Sequence, residues 1–149
     1  MRVSVVGGSV VPEPVETIAE DVGRHLAQRG HTLVCGGLGG VMEAACRGAK
    51  AASGETIGIL PGEDPSEAND YVDTSIATGL GHARNALVVM NGDAVVAIDG
   101  AGGTLSEIGF GDVFDRPIAG IRTHGVGSIE RFRACKTPEE AIKYIEEEV

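Results

Sequence analysis

No stretch of this 149-residue sequence strings together enough apolar residues for a membrane-spanning helix, which needs about 18 or more. Cysteine is scarce. Cys35, Cys46 and Cys135 form an odd set with no close pair along the chain, so neither a disulfide framework nor a zinc cluster is expected, and a reducing cytoplasm is the expected compartment. Positive charge is also short: 22 acidic side chains face 12 basic ones, and the net charge of -10 opposes nucleic-acid polymers and anionic membranes. Only three of the basic residues are lysines, a composition that suits work in high salt and equally an ordinary acidic enzyme. Three common signatures are missing too. There is no Gly-Lys-[Ser/Thr] of a nucleotide triphosphatase, neither large glycine cluster fits the dinucleotide spacing Gly-x-Gly-x-x-Gly, and no Gly-x-Ser-x-Gly elbow marks a serine hydrolase.

What is present is an apolar content of 42% without a composition shift, enough for one domain over residues 1–149 that buries about 68 to 70% of its unfolded surface. Val3 to Val6 reads as a first strand and not a signal peptide, because the apolar run is short and closes on Gly7-Gly8-Ser9. Val15, Ile18, Ala19, Val22 and Leu26 then keep helical spacing. Thr32 to Cys35 and Thr56 to Leu60 read as strands around a small-residue helix carrying Val41, Met42, Ala44, Ala45 and Ala49. Glu63 to Asp70 reads as a surface loop, a strand is expected around Tyr71 to Ala77, and Ala83 to Met90 has a helical pattern. Pro117 to Ile121 and Ile129 to Ala134 read as later strands. A last helix opens at Thr137-Pro138-Glu139-Glu140, with a capping hydroxyl, proline at the first position and acids in the first turn. Alternation of this kind predicts an α/β, Rossmann-like parallel sheet with helices on both faces.

Asp93 to Gly109 is the stretch with most chemistry in it. A β-branched run ends at Asp99, the small residues Gly100 to Gly103 turn the chain, and Thr104 opens a helix. Backbone amides of a first helical turn lack partners and favour an anion, so Gly102, Gly103 and Thr104 are expected to seat a phosphate, with Glu107 a carboxylate one turn on. Such an end supplies roughly 0.3 to 1 kcal/mol, or about 2 when partly buried. Glycines also follow the first and second strands, and ligands in such sheets sit beyond the carboxyl ends of strands. Gly8, Ser9, Gly36, Gly37, Gly39 and Gly40 are therefore candidates for the same site. The spacing Gly-x-Gly-Gly-[Val/Thr]-[Met/Leu] occurs at Gly37 and again at Gly100, which points two helix N-termini at one crevice. No metal site is expected.

The run Gly36-Gly37-Leu38-Gly39-Gly40-Val41-Met42, then Arg84, then Gly100-Ala101-Gly102-Gly103-Thr104-Leu105-Ser106-Glu107 resembles the Lonely Guy family, once labelled lysine decarboxylases, along nearly the whole chain. The resemblance implies a Rossmann-like fold, a homodimer or higher homo-oligomer, and hydrolysis of the N-glycosidic bond of a nucleoside 5'-monophosphate. It places Arg84 and Glu107 at the two catalytic positions, and Gly102, Gly103 and Thr104 at phosphate-binding ones. Four positions depart from the family pattern: Gly81 for methionine, Asn85 for lysine, Asp99 for proline and Ala101 for glycine. Gly81-His82-Ala83-Arg84-Asn85 looks more like a sister branch similar to molybdenum cofactor carrier proteins, with Asn85 in the ligand-binding set.

Each candidate has a plainer reading. Glu107 could only complement the helix dipole, Arg84 could be a solvated helix-start residue, and the Gly36 to Gly40 turn could serve close packing against Ala44, Ala45 and Ala49. Cys35 reads as core, Glu43 as solvated, and His82 as structural. Arg84 is, however, the only Lys or Arg between Lys50 and Arg116. The function expected is binding of a small phosphorylated molecule, with cleavage of a nucleoside 5'-monophosphate into base and ribose 5-phosphate as the enzyme reading. A binding protein for a molybdopterin-type cofactor, or a nucleotide sensor, is the alternative, and a decayed structural domain comes third.

Overall fold

A computed structural model describes residues 1–149, and its sheet has seven strands, all parallel. In chain order they are β1 (Arg2–Gly7), β2 (Thr32–Cys35), β3 (Thr56–Leu60), β4 (Thr74–Ala77), β5 (Ala94–Ile98), β6 (Ile118–Ile121) and β7 (Phe132–Ala134). Five helices connect or follow them: α1 (Glu13–Gln28), α2 (Val41–Ala51), α3 (Asn85–Met90), α4 (Gly102–Val113) and α5 (Pro138–Glu148). The spatial order is β4-β3-β2-β1-β5-β6-β7, so the chain steps outward from β1, returns to pair β5 on its other side, and steps outward again. That reversal between β1 and β5 opens a crevice at the carboxyl ends of the strands.

Strand alternation divides the core in two. Ala94, Val96 and Ile98 of β5 pack with α1, α2 and α5, whereas Val95 and Ala97 pack with α3 and α4. Helices thus cover both faces, and a Rossmann-like α/β fold is what the sequence pattern anticipates. The differences are local. β4 begins only at Thr74, because Tyr71 to Asp73 are spent on side-chain contacts: the Thr56 hydroxyl donates to the Tyr71 carbonyl at 2.6 Å and Asp73 accepts from the Thr56 amide at 3.0 Å. The expected helix from Ala83 starts as a tight 3-10 turn over Gly81–Arg84 before α3 proper. α4 starts two residues before Thr104, at Gly102, and β7 is shorter than expected. In α5 the Thr137 hydroxyl accepts the Glu140 amide at 3.2 Å, the cap its sequence calls for.

α1 and α2 lie in backbone contact. A Cβ on Gly48 would overlap the Glu20 carbonyl, and one on Gly23 would overlap the Ala45 carbonyl. This closeness lets α2 lie flat on β1 to β3 and sets where its N-terminus meets the crevice. Gly48→Ala is expected to lower stability by about 1 to 3 kcal/mol through overpacking, even though alanine is the better helix former by about 1 kcal/mol. The shift of the urea midpoint at unchanged slope measures it.

Candidate functional site

The crevice holds a cleft of about 260 Å³. Its floor is the ends of β1 and β2 at Val5, Val6, Gly7 and Gly36, and one wall is Leu38 with Met42 of α2. Facing them are His82, Arg84 and Asn85 from the turn into α3, and Ala101, Gly103, Thr104 and Glu107 from α4. Gly8 and Ser9 close the rim. Of the residues singled out in the sequence, Gly8, Ser9, Gly36, Arg84, Asn85, Gly103, Thr104 and Glu107 meet here.

Gly37, Gly39, Gly40 and Gly102 do not line the cleft, and two of them have local reasons to be glycine. Gly40 has φ 64° and ψ -128°, a conformation closed to other residues, and a Cβ there would run into the Gly8 carbonyl. The Val41 amide donates to that same carbonyl at 2.9 Å, which straps the loop after β1 onto the start of α2. Gly37 has φ 79° and a Cβ there would stand 2.6 Å from the Leu60 side chain, while its carbonyl accepts the Asn69 amide at 2.9 Å on the far side of the strand end. Part of the second glycine cluster therefore shapes the wall from behind. Val5, Val6, Leu38 and Met42 also line the cleft; in the sequence they read only as parts of the first strand, the second glycine cluster and the second helix, because an apolar side chain signals burial and not what the burial faces. His82 also reaches the rim, exposed.

Asp99 follows β5 in the left-handed region at φ 52°, and Gly100 comes next at φ 99°. The Asp99 amide donates to the Ile121 carbonyl at 3.1 Å and its carbonyl accepts from the Thr123 hydroxyl at 2.7 Å, so β6 and the loop after it hold the turn. The chain then enters α4 with its first turn facing the cleft. Leu105 is the first α4 amide with a partner, the Ala101 carbonyl at 3.0 Å, which leaves the amides of Gly102, Gly103 and Thr104 for an anion. Thr104 is buried and rests against Gly100, where even a Cβ would have no room.

Arg84 is buried, the only basic residue lining the cleft besides His82. Asn85 accepts from its guanidinium, and Nη2 donates to the Gly36 carbonyl at 3.4 Å. Asn85 in turn donates through Nδ2 to the Ser106 hydroxyl at 3.2 Å, and Ser106 donates to the Gly103 carbonyl at 2.6 Å. Both ends of the Asn85 amide are thus engaged, and Asn85 ties the arginine to the first turn of α4. Nε of Arg84 is buried with no partner at all, a group that an incoming anion would satisfy. Gly36 leaves the room: a Cβ would stand 2.5 Å from Nη2 and 2.8 Å from the Met42 sulfur.

Glu107 is buried on the same helix face as Thr104. Burial pushes its pKa up to about 7, against the lowering pull of Arg84, with which it forms no direct ion pair. Burial likewise draws the Arg84 pKa below its ordinary value while Glu107 opposes. The cleft therefore offers a fixed cation, free amides, a hydroxyl and a carboxyl poised between its two protonation states near neutrality, a set able to hold an oxyanion and to move a proton beside it.

A parallel sheet that reverses between β1 and β5, with the unpartnered first amides of α4 beside the reversal, is of the Rossmann-like class. The SLOG cluster4 family model matches residues 1–147, and the chain belongs to that family. An uncharacterized protein of Archaeoglobus fulgidus is 41% identical over 144 residues, which is 97% of this chain and 93% of that one. The molybdenum cofactor binding protein of the phototrophic bacterium Rippkaea orientalis is 34% identical with a TM-score of 0.86, covering 98% of this chain and 94% of its own. The molybdenum cofactor carrier protein of Chlamydomonas reinhardtii is 31% identical with a TM-score of 0.91, over 98% and 96%. The Lonely Guy resemblance and its branch similar to molybdenum cofactor carriers are both borne out.

Glu107 ties stability to pH. Its carboxyl is held above the ordinary value of 4.5, so the folded chain keeps a proton that the unfolded chain releases. The stabilisation is complete below 4.5 and is lost as pH rises through about 7. Glu107→Gln should match the parent at low pH and exceed it at pH 8 by up to about 3 kcal/mol, at about 1.4 kcal/mol per pKa unit. Paired melting curves across the range test this, and a constant difference would contradict it.

Proposed function

We propose that this chain, acting as one ligand-binding unit over residues 1–149, is a carrier of a molybdopterin-type cofactor. The observation that supports this most is its likeness, over 98% of its length, to two proteins described as binding or carrying the molybdenum cofactor. The cleft's donor set fits an anionic ligand. The phosphate group would rest on the free amides of α4 and the rim at Gly8 and Ser9, with Arg84 supplying counter-charge through its unpartnered Nε. Leu38 and Met42 give an apolar wall. At about 260 Å³ the cleft is smaller than the roughly 300 to 1,000 Å³ of pockets that enclose a ligand, so the rest of the molecule extends past the mouth. A carrier must hold its cargo unchanged, and bound cofactor supplies its redox chemistry only after transfer.

Purified protein incubated with molybdenum cofactor and then gel-filtered should retain molybdenum and pterin in equal amounts, read by elemental mass spectrometry and pterin fluorescence. Arg84→Ala should weaken retention about 10- to 100-fold, the equivalent of the about 1.5 to 3 kcal/mol of hydrogen bonds to a charged group. No retention by the parent protein overturns the carrier reading.

One observation favours a second reading, cleavage of a nucleoside 5'-monophosphate: Glu107 stands in the cleft with Arg84, close to the protonation balance that general acid–base work needs. Base release from a panel of such nucleotides, lost in Glu107→Gln, would support it.

A second copy of the chain is the proposed cover for α3 and α4, whose Met90, Leu105 and Val113 are exposed while Phe110 stacks on Phe114 at 5.9 Å. Sedimentation should show a dimer or larger homo-oligomer, with Val113→Asp shifting it towards monomer.

A further inference from the structure

The three cysteines that look unrelated in the sequence are not equally so in space. Cys35 closes β2 and Cys46 sits on the sheet-facing side of α2, both with no solvent exposure, and their sulfurs are 3.5 Å apart. Cys135 lies elsewhere, at the end of β7, its thiol directed at the Arg133 carbonyl at 3.6 Å. The pair has a polarity. The Gly37 amide donates to Cys35 Sγ at 3.3 Å, and Cys46 is placed to donate to the same sulfur. The hydrogen bond from Cys46 is the main reason the Cys35 thiol is held below its ordinary pKa, with the Gly37 amide and the charge of Arg84 adding to it against burial. Cys46 is pushed the other way by the same contact and by burial. The Gly37 amide, which donates to Cys35 and not to Cys46, thus favours Cys35 as the sulfur that carries the negative charge and Cys46 as its proton-bearing partner.

The pair also adjoins the cleft from both sides. Gly36, next to Cys35, is part of the floor, and Met42, one helical turn before Cys46 on the same face of α2, is part of the wall. A water-sized oxidant in the cleft meets these neighbours first.

We propose that Cys35 and Cys46 are a site of reversible disulfide formation by a peroxide, linking the end of β2 to α2 behind the cleft. The Cys35 thiolate attacks one peroxide oxygen and the O–O bond breaks. The departing oxygen takes up a proton and leaves as water, and Cys35 becomes a sulfenic acid. The Cys46 sulfur then bonds to Cys35, and the sulfenic oxygen departs with the Cys46 proton as a second water. Two thiols lose two electrons in all, and one peroxide becomes two waters. Closing the sulfurs from 3.5 Å to the about 2.05 Å of a disulfide draws α2 towards the strand end, so the change is felt at Gly36 and Met42. This site is independent of which ligand the cleft takes.

Native protein treated with hydrogen peroxide should lose two hydrogens by intact mass and yield a Cys35–Cys46 linked peptide on non-reducing digestion. It should also gain several degrees in Tm, reversed by a dithiol. Cys135→Ser should behave the same. Cys46→Ser should stop at a sulfenic acid on Cys35 that a dimedone probe traps. Native protein whose two thiols stay free under peroxide, or that links through Cys135 instead, overturns the proposal. The peptide map of the parent protein decides the matter if the Cys46 variant does not fold.

Discussion

The parallel pairing of β1 with β5, in register from Val3 against Ala94 to Gly7 against Ile98, is the contact on which the remaining architecture depends. These strands are separated by the whole first half of the chain, yet their carboxyl ends finish side by side. Because the connections on either side of this pair run in opposite directions, no helix crosses above it, and the loops after Gly7 and Ile98 part to leave a crevice. The tightness of the junction is visible at Gly7, where a Cβ would strike the Ile98 carbonyl. A larger residue there would separate the two central strands and with them the two halves of the cleft.

What fills the crevice is a small electrostatic device inside an acidic molecule. With a net charge of -10, the chain's overall field repels anions. Arg84 overcomes this locally because it is buried, anchored by Asn85 and the Gly36 carbonyl, and set near amides that cannot rotate away. Glu107 limits the excess positive charge in its ionised form and removes that limit when protonated. The two groups interact through space without a direct ion pair.

Membership of the SLOG cluster4 family, together with likeness to molybdenum cofactor carriers over nearly the whole chain, moves the weight of the functional reading. The sequence resemblance put hydrolysis first and the carrier second. The departures at Gly81 and Asn85 already leaned the other way, and the structure supplies a reason for one of them. Asn85 spends both ends of its amide joining Arg84 to Ser106, a bridging role that a lysine, having no acceptor, could not fill. The arginine is thereby locked in place.

The order of strands and helices was legible in the sequence because each carries its own period: β-branched runs ending in glycine, and apolar positions recurring at helical spacing in α1, α2 and α5. The helix start at Gly102 to Thr104, which brings Gly103 and Thr104 to the cleft, was legible for the same reason, since a strand, a glycine turn and a helix start are all local. Tertiary structure alone decided which glycines line the cleft. Gly36 meets Arg84 while Gly37 and Gly40 turn away to pack, a distinction set by φ angles and by neighbours distant in the chain. It also decided that Cys35 and Cys46, eleven residues apart, would touch through the packing of α2 on β2, and that Glu107 would be enclosed and its proton held. A sequence states what each residue can do locally. Burial and contact depend on the parts of the chain that come to lie beside it.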